Sequence, residues 1–397
     1  MNTNALRLGI VGLGRGFMLT MPALKADPRV ALAGAFDLRD EARVRFAVEF
    51  GAPAFETLDA LLRSPDIDAV YVATPHELHA EQAIAALRAG KHVLVEKPMA
   101  TSLADCARME RASAEAGKVL VVGPSHGFDA PVQVAAELVA SGKYGAVRMV
   151  TALNFTDFIF RPRRSEELDS DRGGGVVYSQ AAHHIDVVRR LVGLPVTSVR
   201  AVAANWDSSR PSEGAYTALM TFTGGAVASL TYSGYAHYDS DELLGWITEL
   251  GYDKDPARYG EARKNLAALS SQDEIEAKLR RTYGAPDASA NDALARYHEH
   301  FGFILLSCER ADLKLTPKGL LIYGDAEREF LSIAPPEVPR KEVIDEFVGA
   351  CLGTRRPIHD GRWGFDTIAC CVALLESSRR RTDVAPNRLL DTLSEQL

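Results

Sequence analysis

The sequence predicts an α/β protein of two domains: an N-terminal doubly wound parallel sheet, then a C-terminal α+β domain on a large open, mainly antiparallel sheet. Three observations point there. The chain has 397 residues, more than one hydrophobic core usually supports. Up to Pro124, short apolar runs take turns with helix-period stretches, which is the rhythm of a βαβ chain. Beyond Pro124, several segments alternate apolar with polar residues, as strands with one covered face do. The domains are therefore drawn at 1–124 and 125–397.

In the first domain the expected strands are Leu6–Val11, Val30–Phe36, Ala69–Ala73, His92–Glu96 and Lys118–Val122. Each is rich in Val, Ile or Leu because a parallel strand is buried on both faces. The clearest helix is His79–Ala89, where Ala80, Ala83, Ile84 and Leu87 share one face and Gly90 closes the end. Ser102, with Asp105 three residues on, opens the next helix as a cap.

In the second domain strands are expected at Arg148–Phe155, Val196–Asn205, Tyr216–Phe222, Ala226–Tyr238 and Leu313–Tyr323. Gly224-Gly225 between the third and fourth marks a hairpin turn. Helices are expected at Gln180–Leu191, Arg340–Leu352 and Thr367–Arg379. Asp239–His300 is polar and helix-prone, with Gly-Ala-Pro at 284–286 and small polar residues over Asp287–Asp292. It reads as an insertion between two strands.

Composition narrows the function classes. With 45 basic and 53 acidic residues the formal charge is −8, which argues against binding a phosphate backbone. No nucleic-acid partner is expected. The five cysteines lack C-x-x-C spacing and read as free thiols of a reducing compartment, with no metal site expected. Met1–Leu6 has neither the charge nor the apolar run of a signal peptide, and no apolar stretch is long enough to span a bilayer. A cytoplasmic protein without a membrane partner is expected.

The chemistry begins at Gly9-Ile-Val-Gly12-Leu-Gly14-Arg15-Gly16-Phe17, which follows the first strand and opens a helix. A dinucleotide pyrophosphate needs backbone N–H groups, close approach without Cβ atoms and the positive end of a helix. Gly12 and Gly14 fit the G-x-G-x-x-G fingerprint; Phe17 stands at the third glycine position, with Gly16 one residue early. On the first strand of a doubly wound sheet this is a Rossmann turn, so Gly12, Gly14, Arg15, Gly16 and Phe17 are cofactor-binding candidates. Asp37 closes the second strand, where a carboxylate accepts the ribose hydroxyls of NAD and repels the 2′-phosphate of NADP. Arg39 beside it keeps NADP open, as the lesser expectation. Thr74, Pro75 and His76 follow the next strand at the ligand-binding edge of the sheet. His79 just beyond reads as a first-turn cap.

Glu96-Lys97-Pro98 ends a buried strand at that same edge. A lysine placed there can hydrogen-bond a substrate hydroxyl and stabilise developing alkoxide charge. Lys97 is the catalytic candidate, with Glu96 beside it lining the cofactor. On the helix after Gly173-Gly174-Gly175, His183 and His184 point about 100° apart, so one faces the site and one does not.

The combination resembles the Gfo/Idh/MocA oxidoreductases. The carriers are the glycine turn, Asp37, Ala-Thr-Pro-His at 73–76, Ala-Gly-Lys-His-Val-Leu-Val-Glu-Lys-Pro at 89–98, and Gly-Gly-Gly at 173–175 with His183 and Asp186. The resemblance implies that Lys97 and His183 form the catalytic pair, that the Lys97–Pro98 bond is cis, that Asp186 is structural, and that the C-terminal sheet pairs two subunits. Relatives acting on sugars carry Asp four residues before the histidine; here Ser179 stands there. Arg161, Arg163 and Arg164 lie just upstream, and guanidiniums in place of a carboxylate suit an anionic substrate.

A narrower resemblance is to the branch that dehydrogenates phthalate cis-dihydrodiols. It rests on residues 125–132, 153–158 and 232–237, on His-Phe-Gly at 300–302 and on Ser-Cys-Glu-Arg-Ala-Asp at 307–312. It implies an anionic cyclic diol as substrate, with Lys97, His126, Asn154, Phe158, Arg161, Ser179 and His183 as the substrate contacts. Phe128, Phe155 and Tyr235 join Phe158 as candidates to pack on its ring. A sugar or inositol dehydrogenase, and a nucleotide-binding regulator without turnover, are the alternatives.

Overall fold

The structure, a computed structural model, describes residues 5–285 and 295–389. In chain order its elements are β1 (Leu6–Val11), α1 (Arg15–Ala26), β2 (Val30–Phe36), α2 (Asp40–Phe50), β3 (Ala54–Phe55), α3 (Leu58–Arg63), β4 (Ala69–Val72), α4 (His79–Arg88), β5 (His92–Val95), α5 (Leu103–Ala116) and β6 (Leu120–Val122). There follow α6 (Ala130–Ala140), β7 (Val147–Phe155), α7 (Ala182–Val192), β8 (Val196–Ala204), β9 (Ala215–Phe222), β10 (Val227–Ser233), α8 (Glu261–Ala267) and α9 (Ser271–Leu279). The chain closes with β11 (Phe303–Cys308), β12 (Asp312–Thr316), β13 (Gly319–Tyr323), β14 (Arg328–Ser332), α10 (Lys341–Cys351) and α11 (Gly361–Arg380). Two compact units result. The first takes the described residues of 1–124, 275–294 and 337–368; the second takes those of 125–274, 295–336 and 369–397.

The first unit holds a six-stranded parallel sheet in the order β3-β2-β1-β4-β5-β6. Its central strands are buried on both faces, Leu8, Ile10, Val70, Val72, Val93 and Leu94 completely, which is why they read as unbroken apolar runs. The strand order reverses between β1 and β4, and that reversal is where such sheets bind ligands. Ser102 caps α5 as expected, its Oγ accepting the Asp105 N–H at 3.1 Å. The two-residue edge strand β3 is too short to leave a periodic signal, and the sequence reading missed it.

The expected single unit over 125–397 needs correction. The Val122 N–H donates to the His359 carbonyl at 2.9 Å, and Val121 bridges Asp360. Arg29 pairs with Asp27 and Asp345. Residues 337–368 therefore complete the first unit, and the insertion is divided between the two units at 274/275. Local periodicity carries no trace of such long-range returns. Pro286 and Asp287–Asp292 lie outside the described residues.

The second unit holds an eight-stranded sheet in the order β14-β13-β12-β11-β7-β10-β9-β8. Every pairing is antiparallel except β7 with β10. Gly224 and Gly225 turn the β9–β10 hairpin with φ of +84° and +87°, a conformation that only glycine adopts at both positions without strain. The expected strand 226–238 ends at Ser233, where the chain turns at Gly234 and Tyr235. The expected strand 313–323 is two, β12 and β13, folded back on each other. β14 was missed because it is exposed along most of its length, and β11 because it follows directly on the polar insertion.

Candidate active site

The nucleotide-binding end is built by backbone. Gly12 sits at φ +92°, and a Cβ there would come within 2.7 Å of Thr74 Cγ2 and 3.0 Å of the Ala73 carbonyl. Gly14 caps α1, whose first-turn N–H groups point out of the helix end. At Gly16 a Cβ would meet Glu96 Oε1 at 2.5 Å, so this glycine makes room for the Glu96 carboxylate. Phe17 buries its ring among Phe46, Phe50 and Tyr283, so what it has to offer a nucleotide is its backbone. A turn closed to a Cβ at Gly12, at a helix start and a sheet reversal, fits a dinucleotide pyrophosphate. Asp37 stands at the end of β2, where its Oδ2 accepts the Leu13 N–H at 2.7 Å.

The ends of β4 and β5 are joined through His79. Its fully buried ring reaches the Pro98 carbonyl through Nδ1 and the Thr74 carbonyl through Nε2, both at 2.9 Å. Burial holds its pKa below the ordinary range despite these two acceptors. It does more than the cap expected of it, because its ring is lodged between Thr74 and the Lys97–Pro98 turn, where a neutral imidazole donates its one N–H to one of the two carbonyls. That peptide bond is cis, as the resemblance implied. Glu96 accepts the Tyr71 hydroxyl at 2.5 Å, with Arg340 at 4.0 Å. Burial raises its pKa, and Arg340 opposes the rise. Thr74, Pro75, His76 and Lys97 are each half-buried.

In the second unit the last of the three glycines makes room for a carboxylate. A Cβ on Gly175 would meet Glu213 Oε1 at 2.3 Å, and that oxygen accepts the Val177 N–H at 3.0 Å. One π-helical turn, Val177–Ala181, leads into α7. Ser179 lies in that turn, half-buried, and donates its hydroxyl to the Gly175 carbonyl. The two histidines part as expected. His184 is fully buried, its Nδ1 2.8 Å from the Tyr216 hydroxyl, and burial pushes its pKa down to about 3. His183 is half-buried, with Nδ1 3.1 Å from Ser125 Oγ. Asp186 accepts the Gly127 N–H at 2.9 Å, which is a structural bond.

His126 packs its ring 4.7 Å from that of His183 and bonds Asp129 at 2.7 Å. Burial disfavours its charge, but Asp129, with Glu299 and Glu249, outweighs burial and raises its pKa. The ligand atoms of His126, Asp129 and Glu299 lie within 4.8 Å of one another. Phe301 was missed. Its ring touches His126, His183 and His184, and it stacks on Tyr232 at 6.1 Å.

The arginine cluster needs correction. Arg161 donates to Asp157 at 2.9 Å and lies 4.0 Å from Glu249. Burial works against its charge, but Glu249 and Asp157 secure it. Arg163 faces Glu167, and Arg164 faces Glu166 and Glu167. The expected surplus of positive charge is thus matched by acids from the same loop and from the insertion. Asn154 is also corrected: it is fully buried, donating to Glu249 at 2.8 Å and accepting from Ser240 at 2.9 Å. Both ends of its amide are engaged, with Glu249 and with Ser240. Glu249 lies 95 residues away in sequence, and no spacing pointed to it. Phe158 carries the Arg163 guanidinium 3.5 Å from its ring centre. Phe128 is core. Phe155 and Tyr235 line a separate cavity of about 610 Å³ with Phe160, Trp206, Tyr238 and Arg263.

Residues 6–124 match the model of an oxidoreductase family with an NAD-binding Rossmann fold, and residues 132–248 match the GFO/IDH/MocA C-terminal domain. A 1-carboxy-3-chloro-3,4-dihydroxycyclohexa-1,5-diene dehydrogenase of Comamonas testosteroni is 44% identical over 94% of this chain and 95% of its own length. The chain belongs to the Gfo/Idh/MocA oxidoreductase family. A solved structure from Bordetella bronchiseptica RB50 superimposes with a TM-score of 0.91 at 38% identity, covering 96% of this chain and all of that one. The WlbA dehydrogenase of Bordetella pertussis, solved with NADH and UDP-GlcNAcA, shares the fold at a TM-score of 0.68 and 24% identity, over 96% of this chain and 98% of its own. No helix among the described residues is long and apolar enough to cross a membrane.

Proposed function

We propose that this enzyme oxidises the cis-dihydrodiol of an aromatic carboxylate, phthalate or a near relative, to the dihydroxy aromatic acid, with NAD in preference to NADP. One observation carries the substrate class: 44% identity across nearly the whole chain to a dehydrogenase named for a carboxylated cyclohexadiene diol. Asp37 at the end of β2 supports NAD.

Bound NAD+ supplies the hydride acceptor. Lys97, at the end of β5, holds the substrate hydroxyl and takes its proton as the carbinol becomes a carbonyl. His183, oriented by Ser125 and packed against Phe301 and His126, relays a proton. The hydroxy-dienone then tautomerises to a catechol; aromatisation makes the step downhill, so the protein has mainly to position and deprotonate. Ser179, neutral where sugar-active relatives carry Asp, spares a carboxylated ring like-charge repulsion. Two copies pair through the open face of the eight-stranded sheet, where Met149, Val202 and Leu219 are exposed.

The test is NADH formation from the cis-dihydrodiols of benzoate, chlorobenzoate and phthalate, beside inositol and glucose. Turnover confined to the carboxylated diols is expected. Turnover of the sugars alone overturns the assignment.

A further inference from the structure

Arg39 is the natural candidate to receive a 2′-phosphate, since an arginine near the ribose carboxylate is how such sites accommodate NADP. Its donors are already engaged. Nε donates to Asp37 Oδ1 at 3.0 Å, Nη1 to Thr282 Oγ1 at 2.6 Å and the Tyr283 carbonyl at 3.0 Å, and Nη2 to the Leu13 carbonyl at 2.8 Å and Asp37 Oδ2 at 3.1 Å. A guanidinium has five N–H donors, and these five bonds use them all. The neighbouring Arg43 is held by the Asp37 carbonyl at 2.7 Å and by Asp40.

Two of the five bonds come from Thr282 and Tyr283, in a part of the insertion that packs into the first unit. That segment is firmly seated. Tyr283 is 1% exposed, lies 5.3 Å from Phe17 ring to ring, and bonds Glu49 at 2.8 Å. Gly284 has φ +89°, and a Cβ there would come within 2.8 Å of Ala42 Cα on α2. Arg45 reaches the Ala285 carbonyl at 3.3 Å.

We infer that residues 282–285 form a dinucleotide-selectivity strap: they pin Arg39 onto Asp37 and so deny a 2′-phosphate its counter-charge. The inference rests on the reading of Asp37 as the ribose anchor. Asp37 and Arg39 neutralise one another, which leaves a phosphate no net positive charge; the strap also keeps from it the two Nη1 donors that could turn to bind it. Without the strap Arg39 keeps three of its bonds, and the Nη1 donors, released from Thr282 and Tyr283, can turn to the phosphate.

The test is equilibrium binding of NAD+ and NADP+ by calorimetry, which needs no substrate. The unmodified protein is expected to favour NAD+ by about 10-fold or more, and Gly284→Val, which lifts the strap off α2, to tighten NADP+ by about 10-fold with NAD+ changed less than about threefold. Thr282→Val, a near-isosteric change that removes one bond, is expected to give a smaller gain of the same sign. Adding Arg39→Ala to Gly284→Val is expected to abolish that gain. If both strap variants fold and bind NAD+ yet hold NADP+ no better than the parent, the strap is not a selectivity element. A gain that survives Arg39→Ala overturns the inference equally. Equal affinity of the unmodified protein for both dinucleotides instead overturns the reading of Asp37, a different and separable failure.

Discussion

The nucleotide-binding end and the substrate-binding end of this molecule are assembled in different ways. At the first, each candidate position lies within a few residues of a strand end: Gly12 after β1, Asp37 after β2, Thr74 after β4, Lys97 after β5. At the second, His183 takes its environment from Ser125, His126 and Phe301, and Arg161 takes its from Asp157 and Glu249. A backbone requirement, such as the positive φ of Gly12, restricts residue type at one position and so leaves a motif. A side-chain network restricts only the company a residue keeps. It can be drawn from anywhere in the chain.

The adjacent histidines of α7 give the largest expected effect, and it sharpens that contrast. His184 is fully buried with its pKa held near 3, against about 6.5 in an unfolded chain. Between those values the unfolded state binds a proton that the folded state refuses. Stability contributed by neutral His184 is therefore complete above pH about 6.5 and falls away as pH drops toward about 3, by on the order of 4 kcal/mol. Denaturant melts across that window should show His184→Phe losing less stability with acid than the parent does. Equal acid slopes would mean that His184 is not the buried neutral group described.

Next in size is Lys97→Ala, expected to lower kcat by about 100-fold or more while NAD+ affinity persists. An almost unchanged kcat would reduce Lys97 to a structural role. Ser179→Asp follows. Like charges about 4 Å apart at an effective dielectric near 20 repel by about 4 kcal/mol at most, and solvent and side-chain movement will reduce that to roughly 10-fold in KM. The loss should fall on carboxylated diols and spare uncharged ones; equal losses would show that the pocket does not read charge. Smallest is Ser125→Ala, where one neutral hydrogen bond to His183 is removed and kcat should drop by about 3- to 10-fold. A loss as large as that for Lys97→Ala would make Ser125 a participant in proton transfer.

Legibility followed the same division. β1 and β2 lie where the sequence placed them to the residue, because both are mainly apolar runs. The edge strands β3 and β14 were missed for the opposite reason: one is two residues long and the other is largely exposed. At the site, Gly12, Asp37 and the His183/His184 division could be read from backbone and helix geometry. Glu213, Glu249 and Phe301 could not, since the partners that give each its place, Val177, Asn154 and His183, lie far from it in sequence. The arginines at 161–164 were legible as charge but not as charge already answered. Their acids come partly from the same loop and partly from residue 249.

The first unit's dependence on residues 337–368 bears on how the chain is made. β6 has its outer edge met by His359 and Asp360, so a nascent chain that has emerged only to residue 124 carries a sheet with an open edge, ready to pair with whatever strand comes by. Translation proceeds at about 5–20 residues per second and domains generally fold as units. The nucleotide-binding unit therefore waits through roughly 240 further residues, about ten to fifty seconds at that rate, before its last pieces leave the ribosome. A fragment ending at residue 124 should be poorly soluble, and a chain ending just past residue 368 the shortest from which this unit is whole.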